Sequence, residues 1–135
     1  MENKFINRYS SYCNCLDGLK EAKNRDLSDD FILSGTIQKF NLTFDISWKV
    51  MKDIIVKYHM IQYASGSPRD TLSQAFEVGL IDDDVWLEML KTRNELAHDY
   101  NGETARESLD RIINVYIAKF DEFSSEAKKY LEKIH

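Results

Sequence analysis

Proline is almost missing from this 135-residue chain: Pro68 stands alone, and glycine occurs only five times. So few breakers and turn formers allow long uninterrupted helices and argue against a many-turned β fold. No apolar run approaches the roughly 18 residues of a membrane span. No signal-peptide pattern opens the chain, whose polar start Met1-Glu2-Asn3-Lys4 leads directly into an amphipathic segment. The expectation is a cytoplasmic protein with no membrane partner. Cysteine is scarce as well. Cys13 and Cys15 are two positions apart, which on a helix separates them by about 200°. They cannot share a disulfide or a metal, and they read as packing residues of a reducing compartment.

Positive charge is in deficit: 18 Lys and Arg face 23 Asp and Glu, for a net charge of −5 and a pI near 5.2. Broad, non-specific grip on nucleic acid needs many Lys/Arg–phosphate contacts. If RNA is handled here, a local site or a partner does it. The chain also lacks a Gly-rich phosphate loop, zinc-ligand spacing and a nucleophile elbow. It has no Gly-Ser followed by paired aspartates on a strand, so it is not itself expected to be a nucleotidyltransferase. Neither a cofactor nor a metal is expected. Asp82-Asp83-Asp84 reads as first-turn acidity, because consecutive helix positions diverge.

What is present is helical pattern. The content of 43% hydrophobic and 30% charged residues suits one globular domain over residues 1–135. Phe5, Tyr9, Tyr12, Leu16 and Leu19 recur at spacings of three and four, the mark of one helix face. A second helix opens with Ser28 as N-cap and carries the stripe Ile37, Phe40, Phe44, Trp48, Met51, Ile55 and Tyr58. Ser67 with Pro68 starts a short helix that Gly79 ends. A fourth helix buries Trp86, Met89, Leu90 and Leu96 and breaks at Asn101-Gly102. Thr104 with Glu107 then reads as a capping box for the last helix, which runs on Ile112, Tyr116, Phe120 and Phe123. Short connectors predict an all-α fold: an antiparallel four-helix up-down bundle with an additional short helix. The aromatics exceed what so small a bundle buries, which leaves a face for a partner copy.

The end of the fourth helix carries the chemistry. Arg93-Asn94-Glu95-Leu96-Ala97-His98-Asp99-Tyr100 places a permanent cation, an imidazole and a phenol within two helical turns. Arg93 and Tyr100 lie on nearly one line of an ideal helix, and Asn94 shares a second line with His98. Arg93 and His98 diverge by about 140°, with Cα atoms ~8–9 Å apart. They are not a tight pair within one chain, but a two-fold axis would bring two such sets together. Spacing alone leaves a bland reading open, in which the pair is solvated or caps the helix end.

The segment fits the Arg-x4-His motif of the HEPN superfamily, extended by Tyr100 to Arg-x4-His-x-Tyr. The chain resembles HepT-like toxins of the nucleotidyltransferase substrate-binding protein family. Ile37-Gln38-Lys39-Phe40, Trp48-Lys49, Ser67-Pro68-Arg69 and Ala75-Phe76 through Gly79-Leu80-Ile81 agree with that pattern. Asn41 departs from it, since many relatives carry an acid there.

The resemblance implies a homodimer with its Arg/His motifs at a shared cleft, acting as a metal-independent ribonuclease. Arg93 and His98 would be catalytic, and Asn94 and Tyr100 would contact the RNA phosphate. The implied partner is a minimal nucleotidyltransferase, the antitoxin of a toxin–antitoxin pair, which silences the toxin by adding AMP to Tyr100. An alternative is a non-catalytic substrate-binding subunit of a two-component nucleotidyltransferase. A third is a helical dimer in which the motif only stabilises the interface.

Overall fold

A computed structural model of the chain describes residues 2–58, 66–98 and 102–133. Its helices are α1 (Glu2–Lys20), α2 (Asp30–Tyr58), α3 (Pro68–Glu77), α4 (Val85–Leu96), α5 (Glu103–Arg111) and α6 (Ile117–Glu132). A 3-10 turn (Glu21–Asn24) follows α1, and a π-helical turn (Ile112–Tyr116) joins α5 to α6. The joints at Arg111 and Tyr116 keep helical dihedrals, so α5, the π turn and α6 form one continuous rod. No strand occurs among the described residues. The fold is all-α, as the periodicity requires.

Side-chain pairs set the directions. Phe5 packs on Tyr58, and Arg8 bonds Asp53, while Gly18 lies against Lys39; α1 and α2 are therefore antiparallel. Phe40 stacks on Tyr116 and Tyr58 meets Tyr130, so α2 and α6 run the same way. Thr92 meets Tyr116 while Trp86 meets Phe120 and Phe123, which turns α4 against that rod. The four long elements alternate in direction, with α3 inserted between α2 and α4.

Helix α2 is the hub and touches every other helix. Its buried face carries Leu33, Phe40, Phe44, Val50, Met51, Ile54 and Ile55, with Thr36, Thr43 and Ser47 among them. These three hydroxyls are satisfied locally, donating to the carbonyls of Ile32, Lys39 and Phe44 at 2.6–2.7 Å. Opposite them, Trp86 sets its ring edge-on to Phe120 and Phe123, and Tyr12 does the same from α1. The Tyr12 hydroxyl, fully buried, donates to the Phe120 carbonyl at 2.6 Å.

Helix ends confirm some expectations and revise others. Ser67 Oγ accepts from the Asp70 amide at 3.1 Å with Pro68 at the first helical position, and Gly79 takes a φ of +80°. The N-cap of α2 is Asp29 rather than Ser28. Its Oδ1 accepts from the amides of Phe31 and Ile32 at 2.8 and 3.3 Å, while Ser28 donates to Asp26. A carboxylate there meets both the unpaired amides and the positive helix end, which a hydroxyl one residue earlier does not reach. Thr104 sits inside the first turn of α5, not ahead of it, because Gly102, at φ +76°, occupies the N-cap.

Candidate functional site

Arg93 follows Met89 and Leu90 by four and three residues, so it lies on the edge of the buried stripe of α4. There it faces α2. Its Nε donates to Asp45 Oδ1 and its Nη2 to Asp45 Oδ2, both at 3.0 Å, a planar two-bond fork. Both side chains are about one-third exposed (32% each). The hydrogen bonds it donates to Asp45 hold the guanidinium above its ordinary pKa, against the smaller opposing effect of burial. The cation is therefore permanent, aimed and still in reach of solvent. The two Nη1 hydrogens lie outside the fork.

The other motif residues fall as follows. Asn94 and His98 are exposed, Asn94 in the last turn of α4 and His98 in the turn beyond it, where its amide donates to Glu95 at 3.1 Å. Among the described residues Arg93 pairs with Asp45, not with His98. Tyr100 lies outside the described residues, as do His59 and His135.

One turn back on α4 a second network fixes the rotation of this helix. Arg111 grips the Glu88 carboxylate at 2.7 and 2.8 Å. Tyr116, brought round by the π turn, donates to Glu88 at 2.5 Å and lies 3.1 Å from Thr92 Oγ1. The Arg111 hydrogen bond, more than that of Tyr116, holds the Glu88 carboxyl below its usual range. Burial and then Glu88 push the Tyr116 phenol up. Thr92 is the residue before Arg93, so a lock on α4 here also sets where Arg93 points.

Two hollows open along α2, neither of them lined by Arg93 or Asp45. Lys4, Arg8 and Lys49 border one of about 410 Å³ between α1 and α2, with Ile46 in its wall, next to Asp45. The other, also about 410 Å³, lies between α2, Leu96 and the start of α5. Elsewhere, Asp83, one residue before the N-cap Asp84 of α4, accepts from the Val85 amide at 2.9 Å and pairs with Lys119 at 2.7 Å. Among the described residues no three His, Cys, Asp or Glu side chains converge as metal ligands. Cys13 and Cys15 are free thiols.

Sequence reasoning missed Asp45 and Glu88. A signal for Asp45 existed: it is the carboxylate that interrupts the apolar run Leu42-Thr43-Phe44-Asp45-Ile46. Nothing in the sequence marks Glu88, because the π turn that carries Tyr116 to it leaves no periodic trace.

A family model described as nucleotidyltransferase substrate binding protein like matches residues 7–129 of the chain. No curated protein shows significant sequence similarity to it.

Proposed function

The chain belongs to the nucleotidyltransferase substrate-binding-like family, and from that premise we propose that it is a HEPN-type, HepT-like ribonuclease toxin. Its reaction is metal-independent RNA cleavage at Arg93 and His98 of a homodimer. The observation that carries this reading is the Asp45 fork. It holds the Arg93 guanidinium in one orientation, five positions before an exposed imidazole, at an open surface.

In the reaction, the RNA 2′-oxygen attacks phosphorus and the P–O5′ bond breaks. The products are a 2′,3′-cyclic phosphate and a 5′-hydroxyl. One imidazole takes the 2′-proton and another returns a proton to the leaving oxygen, so a two-fold pair of His98 side chains serves both ends. Arg93 Nη1 faces the charge that builds on the non-bridging oxygens, with Asn94 as a second polar contact. Lys4 and Lys49, beside an Arg8 held by Asp53, give an otherwise acidic protein a local basic patch for the strand. Leu42 and Val56, exposed on α2, supply apolar surface for the second copy.

The partner is a nucleotidyltransferase, consistent with the family description. Transfer of AMP from ATP to the Tyr100 hydroxyl, with release of pyrophosphate, would add bulk and negative charge to the motif seven residues after Arg93. The purified dimer should cleave RNA in EDTA, and Arg93→Ala or His98→Ala should slow cutting by at least about 100-fold. Equal cutting by the His98→Ala dimer removes the proposal.

A second reading has one observation of its own. Asp45 already neutralises Arg93 within the protomer, which suits a non-catalytic substrate-binding subunit. Nucleotide transfer by the partner that requires this chain, without any RNA cut, selects that reading.

A further inference from the structure

We propose that the hollow between α1 and α2 is a phosphate track, which grips the backbone of the RNA strand through Lys49, Arg8 and Lys4 without reading its bases. The inference rests on the ribonuclease reading for its ligand. Charge and geometry at one end of the molecule carry the rest.

Phe5 packs on Tyr58 and Arg8 bonds Asp53, so the first half of α1 lies beside the second half of α2. Residues 3–15 and 46–58 hold five cations, Lys4, Arg8, Lys49, Lys52 and Lys57, against one acid, Asp53. The rest of the chain holds thirteen cations against twenty-two acids. The net charge of −5 therefore divides into +4 at this end and −9 elsewhere. A local field of that sign draws a polyanion to this end of an acidic protein.

The hollow, of about 410 Å³, is lined by Lys4, Asn7, Arg8, Ser11, Ile46 and Lys49, and no carboxylate among the described residues lines it. Five of these six side chains carry hydrogen-bond donors. Asp53 holds Arg8 through Nη1 alone, at 2.9 and 3.0 Å, so Nε and Nη2 take no part in that contact. Burial raises the Asp53 carboxyl, while Arg8, Lys4 and Lys52 pull it down, which puts Lys4 within electrostatic reach of the same turn.

The cations are evenly spaced. Lys49 follows Asp45, the clasp of Arg93, by four residues, and Asp53, the anchor of Arg8, follows Lys49 by four. Lys4 precedes Arg8 by four on the antiparallel α1. One cation thus stands at each helical turn, about 6 Å from the next, in a row that starts one turn from the Arg93–Asp45 fork. That interval is comparable with the separation of successive phosphates in an extended strand. Phosphate contacts fix where a strand lies and carry no sequence information.

Fluorescence anisotropy tests the track without relying on cleavage, with His98→Ala in every full-length chain so that the strand stays whole. Oligouridylate and oligoadenylate of about 12 nucleotides should both bind, and more weakly as salt rises. Lys4→Gln combined with Lys49→Gln should weaken both by at least about fivefold at low salt. It should also reduce the slope of log affinity against log salt by about 1.4, the loss of two phosphate contacts. Lys23→Gln combined with Arg25→Gln makes the same charge change beyond the other end of α1, and should leave both affinities within about twofold. Circular dichroism checks that the variants fold.

The proposal is overturned if neither strand binds, if the Lys4/Lys49 variant binds like its parent, or if the Lys23/Arg25 variant loses as much. It also falls if only one of the two strands is affected, which would mean that bases are read. Competition by polyglutamate as effective as that by RNA would assign the hollow to an acidic protein segment instead. Absence of RNA cleavage by the unmutated chain, alongside the expected binding losses, would sink the ribonuclease reading and leave this one standing.

Discussion

Arg93 and Asp45, 48 positions apart in sequence, meet side-on with two hydrogen bonds of 3.0 Å. The fork joins α4 to α2 at the point where the motif leaves its helix. Because both partners are one-third exposed, the pair contributes at most about 1 kcal/mol to stability. Its value lies in orientation. Arg93→Ala should therefore leave the urea midpoint nearly unchanged while RNA cleavage is lost. Arg93→Lys should not restore cleavage, since an ammonium cannot keep the fork and also face a phosphate. His98→Ala should slow cleavage by about 10²–10⁴-fold.

Asp45→Asn separates aim from charge. The amide can accept one bond from Arg93 but not two, so the guanidinium gains freedom. Turnover at saturating RNA should fall by about 10- to 100-fold, the size of effect expected when a catalytic group is misplaced by about 1 Å. KM should move little. Faster turnover would show instead that Asp45 merely suppresses the cation.

The Glu88 network predicts an acid-labile contribution to stability. Arg111 and Tyr116 hold this carboxyl below its ordinary value, so the folded state binds its proton less tightly than the unfolded chain does. The stabilisation is present above the unfolded pKa and disappears as pH falls through the lower, folded one. In Glu88→Gln the melting temperature at neutral pH should drop, and its difference from wild type should vanish on acidification. A difference that persists at the acid end contradicts the assignment.

Helix capping offers a sharper comparison at α2. Asp29→Ala removes the acceptor for two amides and should cost about 1 kcal/mol. Ser28→Ala, one residue earlier, should cost only a few tenths of that by urea unfolding.

Tyr12→Phe probes the centre of the bundle. It deletes a buried hydroxyl and leaves the Phe120 carbonyl without that donor, for an expected loss of about 1–2 kcal/mol by urea unfolding. Packing is kept, so the slope of the unfolding transition should not change.

Much of this architecture is legible from residue order. Apolar residues three and four apart mark each helix, and Ser67-Pro68 and Gly79 mark the ends of α3, because these are consequences of local backbone geometry. Legibility stops where geometry ceases to be regular. The π turn at Ile112–Tyr116 shifts phase within an unbroken apolar pattern. The choice of Asp29 over Ser28 depends on which oxygen reaches two particular amides.

By itself, then, the order of residues determined an all-α bundle and pointed to Arg93, Asn94, His98 and Tyr100, since periodicity and a short motif are local properties of the chain. Only the tertiary structure decided that Asp45 clasps Arg93, that Glu88 locks α4 to Tyr116, and that Lys4 and Arg8 line one hollow with Lys49. Those pairings join residues dozens of positions apart, and distances of that kind are set by how helices pack rather than by any spacing along one of them.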